Sequence, residues 1–261
     1  MKPSLEVILR THSTSDVHPG ERVVGPGVSK LEVIKRSFRS LAFSLAEAHR
    51  AGLADIRLSI LDDHSSPETL VFLEHSAAAL PFPAEVHSIA ESGNAGSLVA
   101  CFARGRASSS DLLYFIEDDY LHIPSALCEM LESYALFSEN LSGRPVALFP
   151  ADDPSFYRPH TFIPSRVVVG SRRHWRTNVQ TTCSFFLSHT SFEAHYPVFE
   201  ELTRNGVDEG SSINRLWQGP ITLFSPLPSL AAHLQFSDCI PPLFDWQSLW
   251  DRYSVEPSLY A

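Results

Sequence analysis

The amino-acid sequence predicts an α/β protein with a mostly parallel central sheet and helices on both of its faces. Short apolar runs alternate with longer segments whose apolar residues recur at helical spacing, which is the βαβ pattern of parallel sheets. The chain has 261 residues, 44% of them hydrophobic and 19% charged, which suits a globular protein with a large core. No convincing linker, internal repeat or low-complexity tract is present, so we expect a single domain over residues 1–261.

The first half of the chain contains four predicted strands and the helices that connect them. Helices are indicated by the 3.6-residue period, and strands by short apolar runs that end in polar residues. In chain order we predict strand 5–11, helix 30–50, strand 56–61, helix 67–79, strand 84–89, helix 96–106 and strand 111–116. Ligands of parallel sheets bind beyond the carboxyl ends of the strands, so residues 10–12, 62–63 and 117–119 are expected to face one cleft.

The second half, from about Arg144, is less regular and rich in proline and aromatic residues. We predict strand 181–188, helices 191–204 and 209–218, and strand 221–225. The segment after Pro241 is expected to pack over the domain. The basic cluster at 172–176 is interpreted either as a flexible lid near phosphate or acceptor, with Trp175 stacking on a sugar ring, or as a solvated loop.

Composition argues against several classes of protein. The formal charge of −10 argues against nucleic-acid binding, which normally needs a basic face. The four cysteines are far apart and lack CxxC spacing, so we expect neither a zinc site nor a disulfide framework, and a reducing cytoplasmic location fits best. The N-terminus lacks the apolar stretch of a signal peptide, and no window approaches the roughly 20 apolar residues that span a bilayer. Any membrane contact is therefore expected to be peripheral.

Three consecutive carboxylates, Glu117, Asp118 and Asp119, end the predicted fourth strand. Unpaired charge is costly inside a core, so a buried strand that stops in clustered acid has to point it into a cleft. Carboxylate oxygens are ligands for a hard cation, which would also position a phosphate-bearing substrate. The alternative is a solvated turn that caps the helical pattern opening at Ile123.

Further polar motifs follow in a characteristic order. They are Arg10-Thr11-His12, Asp62-Asp63-His64-Ser65, Gly93-Asn94-Ala95-Gly96 with Arg104, Glu117-Asp118-Asp119, Asp208-Glu209 before Arg215-Leu216, and His233 after Pro228-Ser229-Leu230. The series resembles that of GT-A fold glycosyltransferases, most closely the broad family 2 of nucleotide-sugar-dependent enzymes. The resemblance covers residues 5–234. It departs from the family pattern at Glu117, which opens the DxD motif, and at the exchanged acids Asp208 and Glu209.

The resemblance implies a role for each motif. The residues expected to contact the nucleotide sugar are Arg10, Thr11, His12, Asp62, Asp63, Asn94, Gly96, Arg104, Glu117 and Asp118. A divalent ion, Mn²⁺ or Mg²⁺, would be held by Asp119, Glu117 and His233. Glu209, or its neighbour Asp208, would be the catalytic base of an inverting enzyme. Residues 1–143 would then form the nucleotide-sugar-binding half, and 144–261 the acceptor-binding half with the C-terminal tail.

Elementary chemistry leaves alternatives open for several of these residues. Asp62 is expected to accept hydrogen bonds from a uracil or a ribose, although it is also placed to cap the helix at Pro67. Asp208 and Glu209 would equally stabilise a helix N-terminus through the macrodipole. Without the family pattern, a late histidine such as His233 is more often a surface or packed residue.

The predicted function is a metal-dependent, inverting hexosyltransferase. It would move a sugar from a nucleotide diphosphate donor, UDP-sugar by default, to a hydroxyl of a glycan, a glycolipid or a metabolite, as in polysaccharide biosynthesis. One alternative is a sugar-phosphate nucleotidyltransferase, for which Gly20 to Gly27 is a loose candidate for a triphosphate loop. The other is a catalytically silent nucleotide- or carbohydrate-binding protein of the same fold.

Overall fold

A computed structural model describes residues 2–14, 22–25, 27–141, 143–158 and 163–255. Gly20, Glu21 and Pro26 of the candidate triphosphate loop lie outside the described residues.

The described residues form strands and helices that alternate along the first half of the chain. The strands are β1 (Ser4–Thr11), β2 (Asp55–Asp62), β3 (Ala84–Ser88), β4 (Leu112–Glu117), β5 (Tyr120–His122), β6 (Val146–Leu148), β7 (Val167–Val169), β8 (His174–Asn178), β9 (Phe185–Ser188), β10 (Thr222–Leu227) and β11 (Ala231–His233). The helices are α1 (Lys30–Arg50), α2 (Pro67–Ala78), α3 (Gly93–Ala107), α4 (Ala126–Asn140), α5 (His189–Ala194), α6 (Tyr196–Arg204), α7 (Asn214–Trp217) and α8 (Trp246–Arg252). Short 3₁₀ helices lie at Pro154–Tyr157 and Ser237–Cys239.

Within the described parts of the chain, nine strands form one sheet in the order β3-β2-β1-β4-β9-β6-β10-β8-β7. β1 pairs in parallel with β2 and β4, β2 with β3, and β6 with β10. β9 and β8 run in the opposite direction to their neighbours. The prediction of a mostly parallel α/β sheet in a single domain is confirmed. β5 and β11 form a separate antiparallel ribbon that directly follows the acidic cluster.

Helices cover both faces of the sheet, as neighbouring residues of β4 show. Successive side chains of a strand point to opposite faces. Phe115 packs edge-on against Phe102 of α3, whereas Tyr114 contacts Phe186, which itself packs against Tyr134 of α4. All of the apolar residues of β4 are buried, which explains why its sequence is a continuous apolar run.

Ser66 caps α2, so the alternative role considered for Asp62 is not needed there. The Ser66 hydroxyl accepts a hydrogen bond from the N–H of Thr69 at 3.3 Å, and Pro67 occupies the first helical position. Asp62 instead accepts a hydrogen bond from the N–H of Ser65 at 3.0 Å, which closes the turn that leads into the helix.

The second half departs from the predicted elements at several points. The predicted helix 191–204 is two helices, α5 and α6, which meet at His195, and the predicted helix 209–218 is reduced to the four residues of α7. The predicted strand 181–188 is regular only from Phe185 onward. The strands β5 to β8 and β11 were not predicted. Four of these strands, β5, β6, β7 and β11, have only three residues each, too few for a two-residue period to stand out.

The basic cluster at 172–176 is not a lid, and only its start is a solvated loop, with Arg172 in an exposed bend. It leads into β8, where the indole of Trp175 is 0% exposed and packs edge-on against Phe137. The guanidinium of Arg173 binds the buried carboxylate of Glu129, with N–O distances of 2.5 and 2.8 Å. Trp175 is therefore a core residue, and the prediction that it stacks on a sugar is wrong.

The described part of the segment after Pro241, residues 242–255, packs over the domain as predicted. Tyr253 is 0% exposed, and its backbone carbonyl accepts a hydrogen bond from Arg39 of α1 at 3.2 Å. The guanidinium of Arg36 lies 4.2 Å from the ring centroid of Trp250. Among the described residues, no helix combines the length and the apolar character that crossing a bilayer requires.

Candidate active site

Two clefts open beside the acidic cluster. The first has a volume of about 350 Å³ and is lined by the carboxyl ends of β1, β2 and β4 and by the first turn of α3. The predicted site residues that line it are Arg10, Thr11, His12, Asp63, Asn94, Glu117, Asp118 and Asp119. The second cleft has a similar volume, about 350 Å³, and Glu209 and His233 are among its lining residues. The parallel sheet thus brings most of the predicted residues together.

The guanidinium of Arg10 contacts several polar side chains around the first cleft. Its Nη2 lies 2.5 Å from a carboxylate oxygen of Glu117, and its Nη1 donates to the side chain of Asn94 and, at 3.2 Å, to the hydroxyl of Ser97. The hydroxyl of Ser184 donates to the other Glu117 oxygen at 3.2 Å. Glu117 therefore neutralises and orients Arg10.

Asp118 joins the end of β1 to the start of α1. Its carboxylate accepts hydrogen bonds from the backbone N–H of His12 at 2.9 Å and from the ammonium group of Lys30. The imidazole Nδ1 of His12 lies 2.5 Å from the backbone carbonyl of Asp63. These contacts fix the polar turn after β1 in the wall of the cleft.

Asp119 lies between the two clefts. One of its carboxylate oxygens contacts Arg22 at 3.2 Å, and Oδ1 lies 3.2 Å from Nε2 of His233. Burial alone would raise the pKa of Asp119, but the positive charges of His233, Lys30 and Arg22 hold it well below its usual range. Burial would likewise lower the pKa of His233, and the Asp119 carboxylate instead raises it to about 10.

The ring of His233 stacks on that of Tyr120, with centroids 4.6 Å apart and planes inclined by 10°. The two residues pair across the ribbon of β5 and β11. Both rings line the second cleft, whereas Asp119 lines the first. The Asp119–His233 contact is therefore the point at which the clefts meet.

Glu209 is half-buried in the second cleft, and its contacts differ from those of Asp208. Burial raises the pKa of the Glu209 carboxyl, and the nearby charge of Glu117 acts in the same direction. Asp208 is exposed and accepts a hydrogen bond from the N–H of Gly210 at 3.0 Å, which closes the turn. Of the two acids, Glu209 is the one placed to exchange a proton with a ligand in this cleft.

The structure corrects three assignments to the first cleft. Asp62 is 1% exposed and turned toward the N–H of Ser65, away from the cleft that Asp63 lines. Arg104 lies near the opposite edge of the sheet, where its Nε is 2.5 Å from the buried carboxylate of Glu6. Gly96 lies within the first turn of α3, which begins at Gly93, and Gly93 is the glycine that lines the cleft.

The predicted metal ligands form a pair and not a trio. Glu117 is bound by Arg10, and among the described residues no group of three His, Cys, Asp or Glu side chains is arranged to hold an ion. Asp119 and His233 remain, and Oδ1 of Asp119 is buried without an aligned hydrogen bond. Two ligands of one octahedral ion, each about 2.1 Å from it, lie about 3 Å apart, which suits the spacing of this pair. Asp119 and His233 would thus supply two of the ligands of a divalent ion.

Sequence reasoning missed Arg22 and Lys30, which line the first cleft and pair with Asp119 and Asp118. Lys30 is the first residue of α1, where a cation is disfavoured by the helix macrodipole. A lysine at that position is therefore a signal that an acid lies nearby in the fold. Arg22 carried no comparable signal, because its partner is 97 residues away in the sequence.

No family model and no curated protein matches the sequence of this chain. A search of solved structures finds the glycosyltransferase GlyE of Streptococcus pneumoniae TIGR4, with a TM-score of 0.51 and 10% identity over 97% of this chain. The chain has a GT-A-like glycosyltransferase fold. It spans 60% of the GlyE chain. The search also finds TarS of S. aureus, with a TM-score of 0.49, 13% identity and coverage of 84% of this chain and 35% of TarS. The match to GlyE confirms the fold that the resemblance in the sequence implies.

Proposed function

We propose that the protein is a glycosyltransferase that transfers a sugar from a nucleotide diphosphate donor to a hydroxyl acceptor with inversion of the anomeric carbon. The observation that carries this proposal is the meeting of two clefts at the Asp119–His233 pair, with the half-buried Glu209 in the second cleft. Donor and acceptor would occupy different clefts and react where the clefts meet. Residues 1–143 would supply most of the donor site, and 144–261 most of the acceptor site.

The first cleft suits a nucleotide diphosphate. It places the cations Arg10, Arg22 and Lys30 against the acidic cluster, so a diphosphate entering it finds positive groups that are already oriented. Asp63 and Asn94 add polar side chains for the base and the ribose. For the donor we retain UDP-sugar as the prediction, and for the location the cytoplasm.

Asp119 and His233 would hold the divalent ion, Mn²⁺ or Mg²⁺, that the resemblance implies. When bound, the ion would supply positive charge to the departing nucleotide diphosphate. Glu117, the predicted third ligand, serves the site by orienting Arg10. We therefore expect the dependence of activity on metal to require Asp119 and His233.

Glu209 would act as the general base. The acceptor oxygen forms a bond to the anomeric carbon, the bond from that carbon to the diphosphate breaks, and the diphosphate leaves with the electron pair. The acceptor proton passes to the Glu209 carboxylate. Glu209 lines the cleft on the other side of the Asp119–His233 pair from the donor residues, which supports attack from the face opposite the leaving group.

A thermal-shift screen with UDP, GDP, CMP and TDP, each with and without Mn²⁺, tests the donor site. We expect a metal-dependent rise in melting temperature with one nucleotide, because a ligand that binds only the folded state stabilises it. The rise should be lost in Asp119→Ala and retained in the control Asp55→Ala, whose side chain is 71% exposed on the surface.

The screen also separates the alternatives. A shift with UTP and a sugar phosphate but with none of the four nucleotides would favour the nucleotidyltransferase. A metal-dependent shift with UDP, combined with no UDP release from UDP-sugars in the presence of sugar acceptors, would favour the catalytically silent binding protein. Either result would contradict glycosyl transfer.

A further inference from the structure

The carboxylate of Glu209 is held by a neighbour that the proposed function does not use, Cys183. The backbone carbonyl of Glu209 accepts hydrogen bonds from the N–H groups of Ser212 and Asn214, at 3.3 and 2.9 Å, which fix the main chain. Its side-chain Oε1 lies 3.6 Å from Sγ of Cys183, whose S–H donates to it. Within the described residues, Cys183 supplies the side-chain hydrogen bond to this carboxylate.

The segment that carries Cys183 is tied to the segment that carries Glu209. The N–H of Thr181 donates to the side-chain oxygen of Asn214 at 2.9 Å, and the indole N–H of Trp217 donates to the hydroxyl of Thr181 at 3.0 Å. Cys183 itself is 4% exposed and lies two residues before the start of β9. The distance between the thiol and the carboxylate is therefore set by the fold.

The thiol is a hydrogen-bond donor at neutral pH. Burial raises the pKa of Cys183 well above its ordinary value, and the charge of Glu117 raises it further. The next residue, Ser184, donates its hydroxyl to Glu117. Adjacent side chains at the start of β9 thus bind one carboxylate of the first cleft and one of the second.

Resting on the proposed function, we propose that Cys183 is a positioning residue for the general base. Its S–H holds Oε1 of Glu209, which leaves Oε2 to receive the acceptor proton. The thiol forms no covalent intermediate and contacts neither donor nor acceptor. The hydrogen bond from the S–H group also stabilises the ionised carboxylate and so opposes the rise in the pKa of Glu209 that burial causes. Glu209 is therefore ionised, and able to accept a proton, at a lower pH than it would be without Cys183.

The test compares Cys183→Ala and Cys183→Ser with Cys128→Ala, which removes a buried thiol from α4. The readout is the release of UDP to water from UDP-glucose and UDP-N-acetylglucosamine with Mn²⁺. We expect Cys183→Ala to lower kcat about tenfold at an unchanged donor KM and to move the acid limb of the pH profile upward by about half a unit, since a lost donor disfavours the carboxylate. Cys183→Ser, which keeps a donor, should lie between Cys183→Ala and the wild type, and Cys128→Ala should match the wild type.

A second measurement is independent of turnover. NMR titration of protein labelled with ¹³C-glutamate gives the pKa of Glu209, which should rise in Cys183→Ala and stay unchanged in Cys128→Ala. An unchanged Glu209 pKa together with a wild-type kcat in Cys183→Ala would overturn the inference.

A further variant, Glu209→Gln, separates this inference from the function on which it rests. Loss of UDP release in Glu209→Gln but not in Cys183→Ala would refute the role of Cys183 alone. Full activity of Glu209→Gln would contradict the assignment of Glu209 as the general base. The proposed role of Cys183 would then be refuted as well.

Discussion

His122 is predicted to make the fold sensitive to acid. It is the last residue of β5, 0% exposed, with Nε2 2.8 Å from the hydroxyl of Tyr114. Burial lowers the pKa of His122 from 6.5 to about 4, because the imidazolium would lose its hydration in the core. The unfolded chain therefore binds a proton that the folded protein does not bind between these two pH values.

This difference has a defined sign and size. The stability that neutral His122 contributes is complete above pH 6.5 and is lost as the pH falls toward 4. A difference of 2.5 pKa units predicts a loss of about 2 kcal/mol at pH 5 and about 3 kcal/mol at pH 4.

The assay is urea denaturation at several pH values between 8 and 4.5, for the wild type and for His122→Gln. Glutamine keeps an acceptor for the Tyr114 hydroxyl but does not titrate. Carboxylates that titrate at the lower end affect both proteins equally, so the difference between the two curves isolates His122. Parallel pH dependences of the unfolding free energy would refute this reasoning.

Three further predictions concern other parts of the fold. Arg104→Met should lower the unfolding free energy by about 2 kcal/mol, because the buried Glu6 loses its cation, while the UDP-induced thermal shift stays as in the wild type; loss of that shift would return Arg104 to the donor site. Trp175→Ala should cost about 4 kcal/mol in urea denaturation, and a cost below 1 kcal/mol would contradict its place in the core. Glu209→Gln should lower kcat for UDP release about 10³-fold, whereas Asp208→Asn, which can still close its turn, should keep kcat within a few-fold; equal losses would argue against assigning the base to Glu209.

In the first half of the fold, β4 was predictable because it is buried on both faces. Its sequence is a continuous apolar run, whereas the mostly buried runs of β1 and β2 are interrupted by Glu6 and Arg57. The strand boundaries predicted for β1, β2 and β4 agree with the structure to within one residue. The convergence of the polar strand ends follows from the parallel arrangement alone. This is why Arg10, Asp63 and the acidic cluster were placed in the cleft from sequence.

The sequence did not show in the same way which of the candidate residues lie in the cleft. Asp62 and Asp63 are chemically identical, and only the turn to Ser65 decides which of them leaves the cleft. Arg104 was assigned by its position after the Asn94 motif, but the length of α3 carries it to the other edge of the sheet, where Glu6 needs a cation. The placement of Arg104 depends on a pairing between residues 98 positions apart in the sequence.

Because β9 runs antiparallel to β4, sequence changes at its two ends are expected to affect the clefts differently. The residues that follow β1, β2 and β4 lie at the edge of the sheet that carries the clefts. Because β9 runs in the opposite direction, the residues that precede it, Cys183 and Ser184, lie at that edge. β9 ends at the far edge, where α5 begins directly at His189 and the N–H of His189 donates to the carbonyl of Asp111. Changes at His189 would fall on α5 and leave the residues that line both clefts in place, whereas a single residue inserted before Phe185 would displace the contacts to Glu117 and Glu209 together. The two ends of one short strand are therefore expected to evolve at different rates.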